Sequence, residues 1–253
     1  MELEEYCKMY ELEDCHWWFL GKRRIVRKML AKYVRLSPHD LILDVGCGTG
    51  GMMTVLQQFG DAFGLDISST GLEFACKRGF NTLTQASVLS LPFADNTFAL
   101  VTSFDVLYHE AVGDDLLALK EFYRVCRPGG YLLITDSALP ILQSQHDRAY
   151  HAIRRYTRRS LGRKVAQAGF HILKLSYTSS FLFPFILAVR LWKRYVYSNG
   201  TPSSDLWALP PVFNSALYAI YGLEASLLPH FNLPLGSSVL CVARKDFAPS
   251  SGA

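Results

Sequence analysis

Between Trp17 and Arg35 the apolar residues Ile25, Met29, Tyr33 and Leu36 recur at helical spacing with basic residues between them, and Pro38 follows. That pattern predicts an amphipathic helix with one buried stripe, ended before the proline. Beyond it, short apolar runs alternate with helical stretches. Leu41 to Val45 reads as a buried strand, Gly51 to Phe59 as a helix, Ala62 to Asp66 as a strand, and Ser69 to Arg78 as a helix closed by Gly79. Strands at Thr82 to Ala86, Phe98 to Phe104 and Tyr131 to Asp136 follow, with a helix at Leu116 to Val125 and a launching Pro128-Gly129-Gly130. Thr157 suits the N-cap of a helix reaching Ala168, with Gly169 as its stop, before strands at Phe170 to Tyr177 and Val239 to Ala243. Such alternation predicts an α/β fold of parallel strands with helical crossovers on both faces.

The segment Ser179 to Pro234 breaks the rhythm. It is rich in aromatics and proline, with helix-like stretches at Phe185 to Tyr197 and Phe213 to Leu228. The expected organisation is therefore an N-terminal helical cap at 1–38, a core at 39–178 plus 235–247, and a helical insertion at 179–234. Leu206 to Leu223 carries no charge over 18 residues, but Pro210, Pro211, Asn214 and Ser215 interrupt it. A buried or interfacial helix is expected there rather than a membrane span.

Composition adds modest constraints. Of 253 residues, half are hydrophobic and 19% charged, which places the chain among globular proteins. The formal charge of +4 is concentrated at Lys22, Arg23, Arg24, Arg27 and Lys28 and again from Arg154 to Lys164, each read first as a solvated helix face. The six cysteines include no CxxC pair and the acidic N-terminus lacks the form of a signal peptide, so reduced thiols and a cytoplasmic location are expected, with no metal site. The moderate charge and the absence of a recognised RNA-binding module argue against nucleic acid as partner.

The candidate chemistry lies at Leu43-Asp44-Val45-Gly46-Cys47-Gly48-Thr49-Gly50, between the first strand and the first helix of the alternation. Glycines let a ligand approach the backbone at the carboxyl end of a strand, where open α/β sheets bind ligands. Asp66 ends the second strand, where a carboxylate can accept hydrogen bonds from ribose hydroxyls. Gly46, Gly48 and Gly51 also fit GxGxxG, so spacing alone leaves a nicotinamide oxidoreductase open.

Five motifs in order, DVGCGTG, GLDIS, LPFADNTF, SFDVLYH and RVCRPGGYLLI, resemble those of class I S-adenosylmethionine (SAM)-dependent methyltransferases, and the His16-Trp17-Trp18-Phe19 start is similar to a bacterial subgroup of them. The resemblance implies a Rossmann-like, seven-stranded, mostly parallel sheet whose last strand is antiparallel. It implies SAM contacts from Asp44, Gly46, Cys47, Gly48 and Gly50, from Asp66 and Ile67, from Ser87 and Val88, and from Phe104 and Asp105. Ser87 stands where family members often carry an acid toward the adenine. The broad group includes quinone-methylating enzymes, so a small-molecule or lipid-linked acceptor is implied, with Trp17 and Trp18 as a lid.

Methyl transfer needs positioning more than acid–base chemistry, yet an alcohol or amine acceptor benefits from a base. His109 and His146 are the candidate bases, and His151 and Tyr156 candidate acceptor contacts. The apolar insertion, with Arg190, Lys193 and Arg194, fits an apolar acceptor with an anionic head, peripheral contact with the inner membrane surface, or a homodimer interface. A non-catalytic, partner-binding or membrane-associated subunit is the alternative from another class.

Overall fold

The computed structural model describes residues 3–144, 147–148, 150–196 and 209–247, with side chains in the last turn of the helix ending at Val196 excepted. Seven strands form one sheet: β1 (Leu41–Val45), β2 (Asp61–Asp66), β3 (Leu83–Gln85), β4 (Phe98–Phe104), β5 (Cys126–Ser137), β6 (His171–Thr178) and β7 (Ser238–Arg244). Their order is β3-β2-β1-β4-β5-β7-β6. β1 to β5 pair in parallel, while β7 runs antiparallel to both β5 and β6. The expected α/β sheet and its reversed last strand are thus observed. The order reverses between β1 and β4, which opens the crevice used by doubly wound folds.

Central strands buried on both faces need continuous apolar runs, and alternate side chains divide between two cores. Leu43, Leu132, Ile134, Val239 and Cys241 face one core; Ile42, Leu133, Leu240 and Val242 face the other. Helices α5 (Asp115–Val125) and α6 (Arg158–Gln167) cover the first side. Helices α2 (Trp17–Tyr33), the four-residue α3 (Met53–Leu56) and α8 (Pro211–Leu227) cover the second.

Local signals explain most boundaries. Ser68 caps α4 (Ser69–Lys77) by accepting from Gly71 N, and the Asp114 carboxylate accepts from Leu116 N and Leu117 N at the start of α5. Thr157 and Ser160 form a reciprocal capping box on α6. The helix expected over Gly51 to Phe59 is regular only across α3, because no side chain caps it and Gln57 to Phe59 turn toward Gly60. β5 begins at Cys126, not Tyr131: Arg127 to Gly130 form an irregularity inside the strand, with Gly129 at φ +76.

Helix α1 (Leu3–Leu12) and helix α7 (Phe183–Val196) complete the set. α2 and α8 pack closely because Gly21 lies under Tyr221, where a Cβ would come within 2.3 Å of the ring. Asn214 of α8 stitches the pair, accepting from Trp17 N and donating to Cys15 O, each at 2.8 Å. The Glu224 carboxylate accepts from Ser179 N, Ser180 N and Phe181 N, fixing the chain as it leaves β6 toward α7. The second basic cluster is divided: Arg159 and Arg163 are exposed on the helix face as expected, whereas the Arg155 side chain is buried against Asp147 and Lys164 pairs with Asp115. Among the described residues no helix is long and apolar enough to cross a membrane.

Candidate active site

The loop after β1 makes three left-handed turns, at Gly46 (φ +77), Gly48 (φ +53) and Gly50 (φ +79). Leu65 O at the end of β2 accepts from Gly46 N at 2.7 Å and Cys47 N at 2.9 Å, pinning the loop across the crevice. Asp66 then ties the two loops together, accepting from Gly48 N at 2.8 Å and Ser68 N at 2.9 Å. Burial pushes its carboxyl above the usual range, and those backbone N–H bonds pull it back.

Asp44 is buried beside this loop and accepts from Thr102 Oγ at 2.7 Å. Burial raises its pKa to about 7 against the opposing effects of Thr102 and Lys22. The left-handed backbone of Asp105, φ +59, follows β4, and its carboxylate pairs with Lys22 from α2. Lys22 Nζ also lies over the rings of Trp18 and Phe104, 5.1 and 5.6 Å from their centroids.

These groups share one cavity of about 890 Å³. Its floor is the glycine loop with Asp44, Asp66, Ile67, Ser87 and Val88; its roof includes Tyr6, Met9 and Glu13 of the N-terminal segment. At the other end stand Trp17, Trp18, Phe104, Phe185, Ile186, Val189, Phe213 and Leu217. A polar floor running into an aromatic and aliphatic wall suits a polar cofactor beside an apolar acceptor.

Asp44, Gly46, Cys47, Gly48, Asp66, Ile67, Ser87, Val88, Phe104 and Asp105 all line this cavity, as do Trp17, Trp18 and His109. Gly50 lies behind it, packed where a Cβ would meet Ala75 at 3.1 Å. Tyr156 is buried elsewhere, donating to Asp115 Oδ2 at 2.6 Å. His151 also stands outside the lining, its Nδ1 2.8 Å from Glu110 Oε1 and its ring 5.7 Å from that of His109. His146 lies outside the described residues. His109 Nδ1 accepts from Ala111 N at 3.1 Å, which leaves the ring proton on Nε2 in the neutral form. Burial, then positive charge and His151, hold that ring below its ordinary pKa.

Sequence reasoning missed α1, although Tyr6, Met9, Tyr10 and Glu13 stand at helical spacing. Glu13 Oε2 accepts from Thr49 Oγ of the glycine loop and from Arg78 Nη2 at 3.0 Å, while Arg78 also holds Asp14 at 2.6 Å. It also gave no site role to Lys22, Tyr108, Tyr150 and Arg155, which come together only in three dimensions, whereas Arg190, expected beside an acceptor's anionic head, does line the cavity.

Residues 43–134 match the family model of a methyltransferase domain. The glycine loop, Asp66 and the sheet order are in keeping with that match, which covers about a third of the chain. Among curated relatives, a demethylmenaquinone methyltransferase from Anoxybacillus flavithermus is 34% identical over 158 residues, 58% of this chain and 65% of that protein. A 2-phytyl-1,4-naphtoquinone methyltransferase from Nostoc sp. is 33% identical over 135 residues, 49% of this chain and 58% of that one. The chain therefore spans less than two thirds of either relative. The solved structure of geranyl diphosphate C-methyltransferase from Streptomyces coelicolor, with magnesium, geranyl diphosphate and S-adenosyl-L-homocysteine (SAH), superposes with a TM-score of 0.58 at 16% identity. It covers 86% of this chain and 78% of that one, a likeness of fold.

Proposed function

We propose that the chain transfers the methyl group of SAM to a quinone-type or other lipid-tailed ring acceptor. The observation that carries this is the continuity of one cavity from the glycine loop and Asp66 to the aromatic wall of α2, α7 and α8. The matched quinone methyltransferases agree in substrate chemistry.

The residues present fit SAM. Gly46 leaves the cavity floor bare where a Cβ would collide with Val106, Asp66 offers carboxylate lone pairs for ribose hydroxyls, and Ile67 presents an exposed apolar face beside it. Ser87 and Val88 stand beside the same floor for an adenine ring. When bound, SAM supplies a methyl group on a positively charged sulfur, open to displacement by a nucleophile in line with the C–S bond. The protein contributes alignment and exclusion of water, which can carry most of such a rate enhancement. Trp17 and Trp18 act as a lid at the aromatic end, and Tyr6 and Met9 line the cavity beside the glycine loop.

Phe185 and Phe213 line the cavity yet are 68% and 64% exposed. The acceptor's tail enters past these two rings, and the helices that carry them rest against a membrane surface while it does so. The helical insertion is thus the acceptor-binding part of the chain.

Titration calorimetry with SAM, SAH and NADH tests the first half of this reading. Binding of the two sulfur ligands without NADH supports it, and NADH binding alone overturns it. Methylation of a short-tailed naphthohydroquinone, with and without anionic vesicles, tests the second half. Transfer to polar amines but never to the quinol would overturn the acceptor class.

A further inference from the structure

The cavity holds an ion pair that binding a cofactor and an apolar tail leaves without a task. Lys22 and Asp105 both line it, with side chains only 12% and 18% exposed. Placing two charges there costs desolvation that packing alone would avoid, so the pair calls for a reason beyond stability. Its position supplies one. Lys22 acts electrostatically on Asp44, at the glycine-loop end, and its ammonium lies over Trp18 and Phe104, at the aromatic end. The pair therefore stands at the junction of the two halves.

One further buried acid, near the pair, has an oxygen without a partner. Asp136, at the end of β5, is fully buried; its Oδ1 accepts from Ser137 N at 2.8 Å, while its Oδ2 has no hydrogen-bond partner. Asp105 and Lys22 are the charged side chains that act on Asp136. Burial, reinforced by Asp105, pushes the Asp136 carboxyl well above the usual carboxylate range. Tyr108 lines the cavity and senses the charges of Asp105 and Asp136.

We propose that Lys22 and Asp105 form an acceptor-oxygen subsite, which recognises a hydroxyl group on an aromatic or enolic ring. This deepens the methyl-transfer reading and rests on it for the word acceptor, but not for the binding itself. Lys22 donates to the ring oxygen, and one oxygen of Asp105 accepts from the hydroxyl proton. A ring held this way lies between Trp18 and Phe104 with its oxygen fixed, which selects hydroxylated rings over plain hydrocarbons.

Equilibrium dialysis of two probes, 1-naphthol and 1-methylnaphthalene, reads the subsite without requiring methyl transfer. A hydrogen bond to a charged group sets the expected preference of the unaltered protein for 1-naphthol at roughly tenfold or more. The double variant Lys22→Met with Asp105→Asn removes both charges together, so neither is left buried and unpaired. In it the preference should collapse to about threefold or less, on the same scale, while 1-methylnaphthalene binds as before, which also reports a folded cavity. Lys22→Arg, which keeps the charge, should retain most of the preference. No preference in the unaltered protein, or a preference kept by the double variant, overturns the subsite even if SAM binds. A preference that the double variant loses, in a protein that binds no SAM, upholds the subsite and removes the methyl-transfer reading instead.

Discussion

Replacing Gly46 by alanine separates the cost of a turn from the cost of a site. Gly46 has φ +77, and a Cβ there would come within 2.3 Å of Val106 Cγ2. Gly79 makes a clean comparison: its φ is +94, but a Cβ would meet nothing within 4 Å. Gly79→Ala should therefore cost only the left-handed penalty, about 1–2 kcal/mol. Gly46→Ala adds overpacking of about 1–3 kcal/mol, for a total of about 2–5 kcal/mol. In a domain of this size each kcal/mol lowers Tm by about 2–4 °C, so thermal melts distinguish the two variants. Their binding should part further. Val106 lines the cavity, so pushing it aside deforms the floor, and SAM affinity by calorimetry should fall at least about tenfold, a loss of 1.4 kcal/mol. Gly79, exposed at the end of α4, should leave affinity unchanged. Equal stability losses in the two variants, with SAM affinity intact in both, would refute the assignment of the glycine loop.

Asp44 predicts a pH dependence. Its native pKa of about 7 exceeds the unfolded value near 3.9, so between those values the native state holds the extra proton and stability falls as pH rises, flattening above 7. The full fall is up to about 4 kcal/mol, and Asp44→Asn, which can still accept from Thr102, should remove it in denaturant titrations at pH 5 and pH 8; an unchanged pH slope would show that Asp44 ionises freely. The ionised carboxylate above pH 7 should also favour cationic SAM over neutral SAH, measured as a rising affinity ratio between pH 6 and pH 8. Tyr156→Phe should lower stability by about 1–3 kcal/mol through the lost bond to Asp115 while SAM affinity stays constant; lost turnover at unchanged Tm would restore an acceptor-binding role. His109→Asn can still accept from Ala111 N, so kcat should stay within about tenfold, whereas removal of a general base costs about 10²–10⁴-fold.

The fold was legible because its determinants are local. Leu41–Val45 and Phe98–Phe104 are strands buried on both faces, and such strands show up as unbroken apolar runs between turn residues. Thr157, Gly79 and Gly169 marked helix ends through chemistry that acts within a few residues. α1 was not picked out as a helix of its own, and the acidic residues just after it find their partners far along the chain, Glu13 at Thr49 and Asp14 at Arg78. The basic residues after Arg154 look alike in sequence, yet Arg155 is spent on Asp147 while Lys164 reaches Asp115. Charge clustering reports which residues are near each other in the chain, not which acid each will find.

The same distinction divides the site. The cofactor end is built from two consecutive strand-to-helix loops, so Gly46, Gly48 and Asp66 are held by hydrogen bonds within a span of about twenty residues, and any sequence that keeps the spacing keeps the geometry. The acceptor end is assembled from α2, the turn after β4, α7 and α8, whose contacting residues stand about 80 to 200 positions apart, as Lys22 from Asp105 and Trp17 from Asn214. No local sequence rule links the glycine loop to the placement of those helices. Substitutions at Trp18, Phe185 or Phe213 should therefore change which ring is accepted at nearly constant SAM affinity, because these residues stand at the aromatic end of the cavity. One cofactor-binding core can in this way serve many acceptors, and the identity of the acceptor is carried by residues that no local motif contains.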